Sequence, residues 1–329
     1  MQRRFCDVPS MVAMLNSARR LKKTIKDRVK KTRQRQAKRY AVALRSGEIA
    51  MRQATRAAGL WQPEVVEDLV VSLTSFPVRI GKLHRVIRGL LAQSLQPRKI
   101  VLYLSLEEFP HRNLPKELVA LTSDRFEIRF VEGNLRPYKK LLYALADFPR
   151  ATILTVDDDN LYPSDCLARL WQASVANPRT VICVRGRCMQ IREGEISHYM
   201  DWKVTRSSKP SFMIFPVGGW GILYPPGSLD PMIDRQEMFT EIAPLNDDVW
   251  FKAMSLLQDV PCYAIGSTKP SARLKYENDF KLWDVNQHGD RYQETVVTVF
   301  DRVGLSVDAI LAKEAALEPR QVARGAKNN

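Results

Sequence analysis

The 329-residue chain has no run of eighteen consecutive apolar residues, so no membrane-spanning helix is expected. Its N-terminal apolar stretch, Val8 to Leu15, is short and interrupted by Pro9 and Ser10, which does not suit a secretory signal. Cysteine is scarce. The five residues, Cys6, Cys166, Cys183, Cys188 and Cys262, are odd in number and form no CxxC pair. Cys166, Cys183 and Cys262 stand in apolar surroundings, as structural free thiols do, and a reducing, cytoplasmic compartment is expected. Histidine is scarcer still, and His84, His111 and His198 lack the spacing of metal ligands. What is present in quantity, 45% hydrophobic and 9% aromatic residues, excludes a wholly disordered chain and allows a substantial core.

The formal charge of +15 is unevenly placed. Acidic residues are nearly missing from the first 62 positions, which hold 17 Lys and Arg against Asp7, Asp27 and Glu48, a net of +14. The remaining 34 bases and 33 acids almost cancel. A basic arm (1–62) therefore precedes a near-neutral catalytic body (63–300) and a helical C-terminal tail (301–329). Between Ser17 and Ala58 proline is absent and glycine occurs once, at Gly47, a composition that favours helix. Leu21, Ile25 and Val29 recur at every fourth position, with Ala18 and Thr32 prolonging a narrow apolar stripe. Such a stripe in a cationic helix (17–58) suits an anionic membrane surface, placing the protein peripherally on the inner face of the plasma membrane. A solvated helix packed on the body or on a partner is the plainer alternative. Nucleic acid ranks below both, because the arm's aromatic content is chiefly Phe5 and Tyr40.

From Pro63 the pattern alternates. The β-branched run Asp68 to Thr74 predicts a strand ending in the turn Ser75-Phe76-Pro77, and Gly81 to Gln93 has helical spacing. Lys99 to Leu104 and Phe126 to Val131 read as strands, Pro115 opens a short helix, and Tyr138 to Ala146 reads as another. Ala151 to Val156 is the fourth strand. Strand–helix–strand units of this kind imply an α/β fold with a mostly parallel sheet covered by helices on both faces. Ligands bind such sheets at the carboxyl ends of the strands.

The fourth strand runs directly into Asp157-Asp158-Asp159-Asn160. Adjacent carboxylates at the end of a buried strand raise one another's pKa, and a divalent cation removes that cost. Oxygen ligands suit Mn²⁺ or Mg²⁺, whose shell substrate phosphates and water would complete. A solvated acidic turn before the helix at Pro163 and Ser164 is the competing interpretation. A second acidic pair, Asp247 and Asp248, follows Asn246 and opens an apolar segment, where Asn and Asp also serve as ordinary helix N-caps. Between them lies Val217-Gly218-Gly219-Trp220-Gly221, either a tight turn or a loop able to approach a ligand closely.

A strand followed by the acidic triplet and Asn-Leu-Tyr-Pro resembles the DxD region of the GT-A glycosyltransferases. The blocks VVSLTSFPVRI, KIVLYLSLEEFP, LRPYKKLLYAL, VGGWGILYPPGSL and LNDDVWFKAM resemble, in order, a family-2-like group that builds bacterial surface polysaccharides. They span about two-thirds of the chain. The resemblance implies a Rossmann-like nucleotide-diphospho-sugar transferase sandwich and a metal-dependent transfer from a nucleotide-sugar donor, a UDP-sugar first, to a glycan or lipid-linked acceptor. It places Thr74, Phe76 and Arg79 around the nucleoside and diphosphate, with Glu107 (or Glu108) at the base or ribose. One of Lys139 and Lys140 would reach the diphosphate. Asp157 and Asp158 would border the donor, Asp157 and Asp159 would hold the metal, and His288 would be a further ligand. Asp248, or its neighbour Asp247, would be the base of an inverting reaction, the other being the cap. Trp220 would face the donor sugar, with Tyr199 and Trp202 on the acceptor side.

Three rivals remain. A sugar-phosphate nucleotidyltransferase would show a Gly-rich phosphate loop after the first strand, which Thr74-Ser75-Phe76-Pro77 is not. An Asp-nucleophile phosphatase would carry its acids after the first strand rather than the fourth. A non-enzymatic scaffold binding membrane or RNA through the arm leaves both acidic clusters unexplained.

Overall fold

The computed structural model describes residues 8–266, 272–276 and 290–317. The arm is a single helix, α1 (Val8–Ala57), whose one proline, Pro9, sits in its first turn where the missing N–H costs nothing. The body then alternates β1 (Glu64–Thr74), α2 (Pro77–Leu91), β2 (Leu95–Ser105), α3 (Lys116–Val119), β3 (Phe126–Val131), α4 (Lys139–Asp147) and β4 (Thr152–Thr155). Each anticipated element is present. Helix α2 starts four residues before the expected point because Pro77 occupies its first position, where a missing N–H costs nothing. Strands β1 and β2 begin earlier, pairing in parallel from Glu64 and Leu95 onward.

After β4 the elements shorten: β5 (Asn160–Leu161), α5 (Cys166–Ala176), β6 (Val181–Cys183), β7 (Gly186–Cys188), β8 (Ile191–Arg192), β9 (Glu195–Ile196), β10 (Lys203–Thr205), β11 (Ile214–Pro216) and β12 (Ile222–Tyr224). Helices α6 (Gln236–Ile242) and α7 (Asp247–Leu257), strands β13 (Cys262–Ala264) and β14 (Ala272–Arg273), and helices α8 (Arg291–Arg302) and α9 (Val307–Leu317) complete the described chain.

The central sheet has the order β13-β6-β12-β4-β1-β2-β3. All its strands run parallel except β12, which opposes both β4 and β6. This is a mixed α/β, Rossmann-like fold with a mostly parallel sheet. Alternate residues of each strand enter opposite layers, as the period of two requires. Leu69, Val71 and Leu73 pack with Leu83 and Ile87 of α2 and Leu167 and Leu170 of α5. Val70, Val101 and Ile153 pack with Leu141 of α4, Trp250 and Met254 of α7 and Val296 of α8. The thiols of Cys166, Cys183 and Cys262 are free and buried, as their surroundings indicated.

Among the described side chains of α1, those buried against the body lie in its last third. Ile49 is buried against α2, its side chain filling the space over Gly89, and Glu48 bonds both Arg45 and the Ser164 hydroxyl. Arg56 donates to the Leu91 carbonyl at 3.2 Å. Among the described residues no helix is long and apolar enough to cross a membrane.

Candidate active site

The carboxyl ends of β1 and β4, the first turns of α4 and α7, the loop before β12 and strand β14 enclose a cleft of about 710 Å³. Both acidic clusters reach it, although ninety residues separate them in the chain. Asp157, Asp158 and Asp159 line one wall and Asp247 and Asp248 the other. Lys140 joins them. Its ammonium lies 3.1 Å from Asp247 Oδ2 and 3.3 Å from Asp157 Oδ1, with the side chain only 12% exposed. Burial alone would lower the Lys140 pKa, but Asp247 and Asp157 outweigh it and hold the group protonated.

The triplet's members face different neighbours. Asp158 is buried, accepting from the Ser75 hydroxyl at 2.7 Å and from Arg79 at 2.8 Å. Arg79 also lies 3.1 Å from Asp159, and its guanidinium stands over the rings of Phe76 and Tyr276. Arg79 therefore braces the triplet from beneath, whereas the sequence suggested a grip on the donor diphosphate. Asp158 and Arg79 both line the cleft while holding each other in place. Asp159 also receives Arg273 from β14, at 2.5 and 2.6 Å. Burial and the charges of Asp157 and Asp158 still push its pKa up to about 6. Asp157 is the most open of the three, its side chain 33% exposed.

Carboxylate oxygens are the ligands a divalent cation takes, and at this triplet they already face Lys140, Arg79 and Arg273. Asp157 and Asp159 would hold the cation, with substrate phosphates and water filling the shell, because among the described residues no group of three ligating side chains gathers. His288 lies outside the described residues.

The loop before β12 is tied to the triplet. Asn160 and the Tyr162 hydroxyl both donate to the Gly219 carbonyl, while the Asp157 N–H donates to Tyr162 at 2.8 Å. This accounts for Asn-Leu-Tyr after the acids. Gly219 has φ +90°, and a Cβ there would sit 3.0 Å from Asp157 Oδ2. Trp220 lines the cleft beneath Arg185, whose guanidinium is 5.9 Å from the ring centre.

On the opposite wall α7 begins at Asp247. Asn246 makes no side-chain cap; its amide donates to Thr295 of α8 at 3.0 Å. The N-cap position itself is Asn246, and the two aspartates open the first turn. Asp247 pairs with Lys140, and Asp248 accepts from the Val249 N–H at 3.0 Å. Burial first, and then the Asp247 charge, push Asp248 up to about 7, against the opposing pull of the Tyr292 hydroxyl and Lys140. Tyr138 braces this wall, donating to the Ala243 carbonyl at 2.6 Å and stacking on Phe239.

Of the other anticipated residues, Thr74 and Phe76 line the cleft, and the Thr74 hydroxyl donates to the Tyr103 carbonyl at 2.8 Å. Glu107 is exposed and outside the cleft; Glu108 lines it and pairs with buried Lys139. Lys139 also donates to Asn134 at 2.9 Å, so it fixes a wall and leaves Lys140 as the lysine between the clusters. Tyr199 borders the cleft, but Trp202 is a core residue bonded to the Ser197 carbonyl at 2.9 Å. Sequence reasoning missed Arg136, Arg185, Arg273 and Tyr292. Nothing in their local pattern marks the three arginines, and Tyr292 sits at an apolar position of an amphipathic helix.

No family profile matches the chain, and no curated protein does. Solved structures do, at low identity. A 4-diphosphocytidyl-2C-methyl-D-erythritol synthase matches at 14% identity and TM-score 0.39, over 67% of this chain and 98% of that one. The Francisella tularensis 2-C-methyl-D-erythritol 4-phosphate cytidylyltransferase matches at 12% and 0.40, over 68% and 99%. The 4-diphosphocytidyl-2C-methyl-D-erythritol synthase of Anaerococcus prevotii matches at 10% and 0.38, over 70% and 96%. Likenesses this shallow say nothing of the chemistry of this cleft.

Proposed function

We propose that the protein is a transferase that handles a nucleotide-diphospho-sugar, and that it transfers the sugar to an acceptor hydroxyl of a glycan or lipid-linked saccharide. The observation that carries this is the pairing of two acidic clusters across one cleft, with a carboxylate on each side suited to a different task. Asp157 and Asp159 would hold Mn²⁺ or Mg²⁺, which supplies neutralisation of the charge gathering on the departing nucleoside diphosphate. Phe76 offers a face for a nucleobase, and Trp220 a face for sugar C–H groups. Asp248 takes the acceptor's proton as its oxygen attacks the anomeric carbon, which inverts the centre. A carboxyl titrating at about 7 is matched to that role. Lys140, bonded to Asp247 and Asp157, fixes the spacing between the donor and acceptor walls. A UDP-sugar is the first donor to try.

Nucleotidyl transfer to a sugar phosphate is the second reading; one matched structure is named as a cytidylyltransferase acting on 2-C-methyl-D-erythritol 4-phosphate. On this chain the first strand-to-helix turn, Thr74-Ser75-Phe76-Pro77, has no glycine with which to wrap a triphosphate. One assay separates the two. The purified chain with Mn²⁺ and a panel of UDP-, GDP- and CMP-sugars should release nucleoside diphosphate or monophosphate, slowly to water and faster with acceptor. Pyrophosphate release from a nucleoside triphosphate and a sugar phosphate, without donor turnover, would establish the second reading instead.

A further inference from the structure

Every described side chain from Lys22 to Tyr40 is exposed, so this stretch of α1 projects from the body as a free rod about 27 Å long. Arg20 to Arg39 carries eleven bases against Asp27 alone. Like charges meet at four-residue spacing in Lys22–Lys26, Lys26–Lys30, Lys31–Arg35 and Arg35–Arg39, and each such pair opposes the helix. A helix so charged gains from an anionic partner.

A second observation shows what kind. Val29, Tyr40, Leu44 and Met51 are 46%, 66%, 57% and 63% exposed. At about 100° per residue the four fall within a sector of about 60°. Arg45 and Ile49, which dock on the body, lie on the opposite side of the helix. The arm thus has a body-facing side and an outward apolar row, Tyr40, Leu44 and Met51, about 17 Å long, with Val29 in the same sector beyond Arg33, all set in a cationic surface. This sector differs from the anticipated stripe, of which it shares only Val29; the side chains of Ala18, Leu21 and Ile25 lie outside the described residues.

We infer that α1 lies lengthwise on an anionic lipid surface, with Tyr40, Leu44 and Met51 seated among the headgroups and the flanking lysines and arginines on lipid phosphates. The inference concerns the arm alone and stands whichever reaction the cleft performs. RNA would satisfy the charge but gives no reason for an outward row of apolar side chains, whereas an interfacial helix requires one.

The test uses the full chain, co-sedimented with phosphatidylcholine vesicles containing about a third phosphatidylglycerol, and with phosphatidylcholine alone. Binding should need the anionic lipid and weaken with salt. The triple variant Tyr40→Gln, Leu44→Gln, Met51→Gln should lower the partition about tenfold. The variant Lys30→Gln, Lys31→Gln, Arg33→Gln, Arg35→Gln should lower it about tenfold or more. All seven positions are exposed, and unchanged circular dichroism and donor hydrolysis would show the fold intact. Vesicle binding that ignores the triple variant overturns the inference, as does equal binding to both lipids. Tight binding of a single-stranded RNA probe with no vesicle binding would make the arm a nucleic-acid grip.

Discussion

At the scale of single residues, Asp248 has the property on which most depends. In the native cleft it keeps its proton to about pH 7, whereas a solvated aspartate loses it near 3.8. The native state therefore binds more protons than the unfolded chain between those values, and this group's contribution to stability is lost as pH rises through the window. Catalysis runs the other way, because the base must be ionised. Transfer should fall about tenfold per unit as pH drops below 7, while thermal stability improves. Asp248→Asn should reduce transfer at least about a hundredfold, retain donor binding by calorimetry, and melt higher than the native protein at pH 8 but not at pH 4. Retained turnover would remove Asp248 from the reaction.

The triplet and the second acidic pair could be found in sequence because acids stand out at the ends of apolar runs. Their partners could not. Arg79 was legible as a site residue but not as the brace of Asp158 and Asp159, since only packing shows which way a guanidinium turns. Arg273 gave no signal at all, and Glu107 and Glu108 could be told apart only by the turn that points Glu108 inward.

At the scale of elements, the loop over residues 217–221 is the sensitive part of the cleft. Gly219→Ala would place a methyl 3.0 Å from Asp157 Oδ2 in a backbone conformation that alanine adopts poorly. The expected result is a donor dissociation constant raised about tenfold or more, with global stability lowered by only about 1 kcal/mol, measured by calorimetry and denaturant titration. An unchanged dissociation constant would place the donor elsewhere. The elements from β1 to β4 were readable because β1, β2 and β4, buried on both faces, carry continuous apolar runs and α2 and α4 carry full helical spacing. The antiparallel sheet β10-β7-β11 was not, because strands of three residues are too short to show alternation. The reversal of β12 was also hidden: an apolar Ile-Leu-Tyr run looks the same in either direction.

At the scale of the whole molecule, the arm is part projection and part buttress. Removing residues 1–40 should leave the melting temperature and donor binding unchanged, since every described side chain in this stretch is exposed. Removing residues 1–62 also strips Ile49 from α2 and Glu48 from Ser164, and should cost about 1–3 kcal/mol by denaturant unfolding. Equal stability of the two truncations would mean that the docked segment contributes nothing. Charge arithmetic marked a change of composition near residue 62 and gave no sign that the final turns of α1 pack on the core.

The antiparallel seat of β12 bears on how the protein reaches its active form. Ile222 pairs with Thr155 across sixty-odd intervening residues, and the glycine loop reaches Asp157 only once that pairing is made. Contacts of such sequence separation form slowly. The three strands β1 to β3, joined by short connections, can assemble well before it. Recovery of donor binding during refolding should therefore lag behind recovery of secondary structure, and a chain still being synthesised stays inert until its second half has emerged.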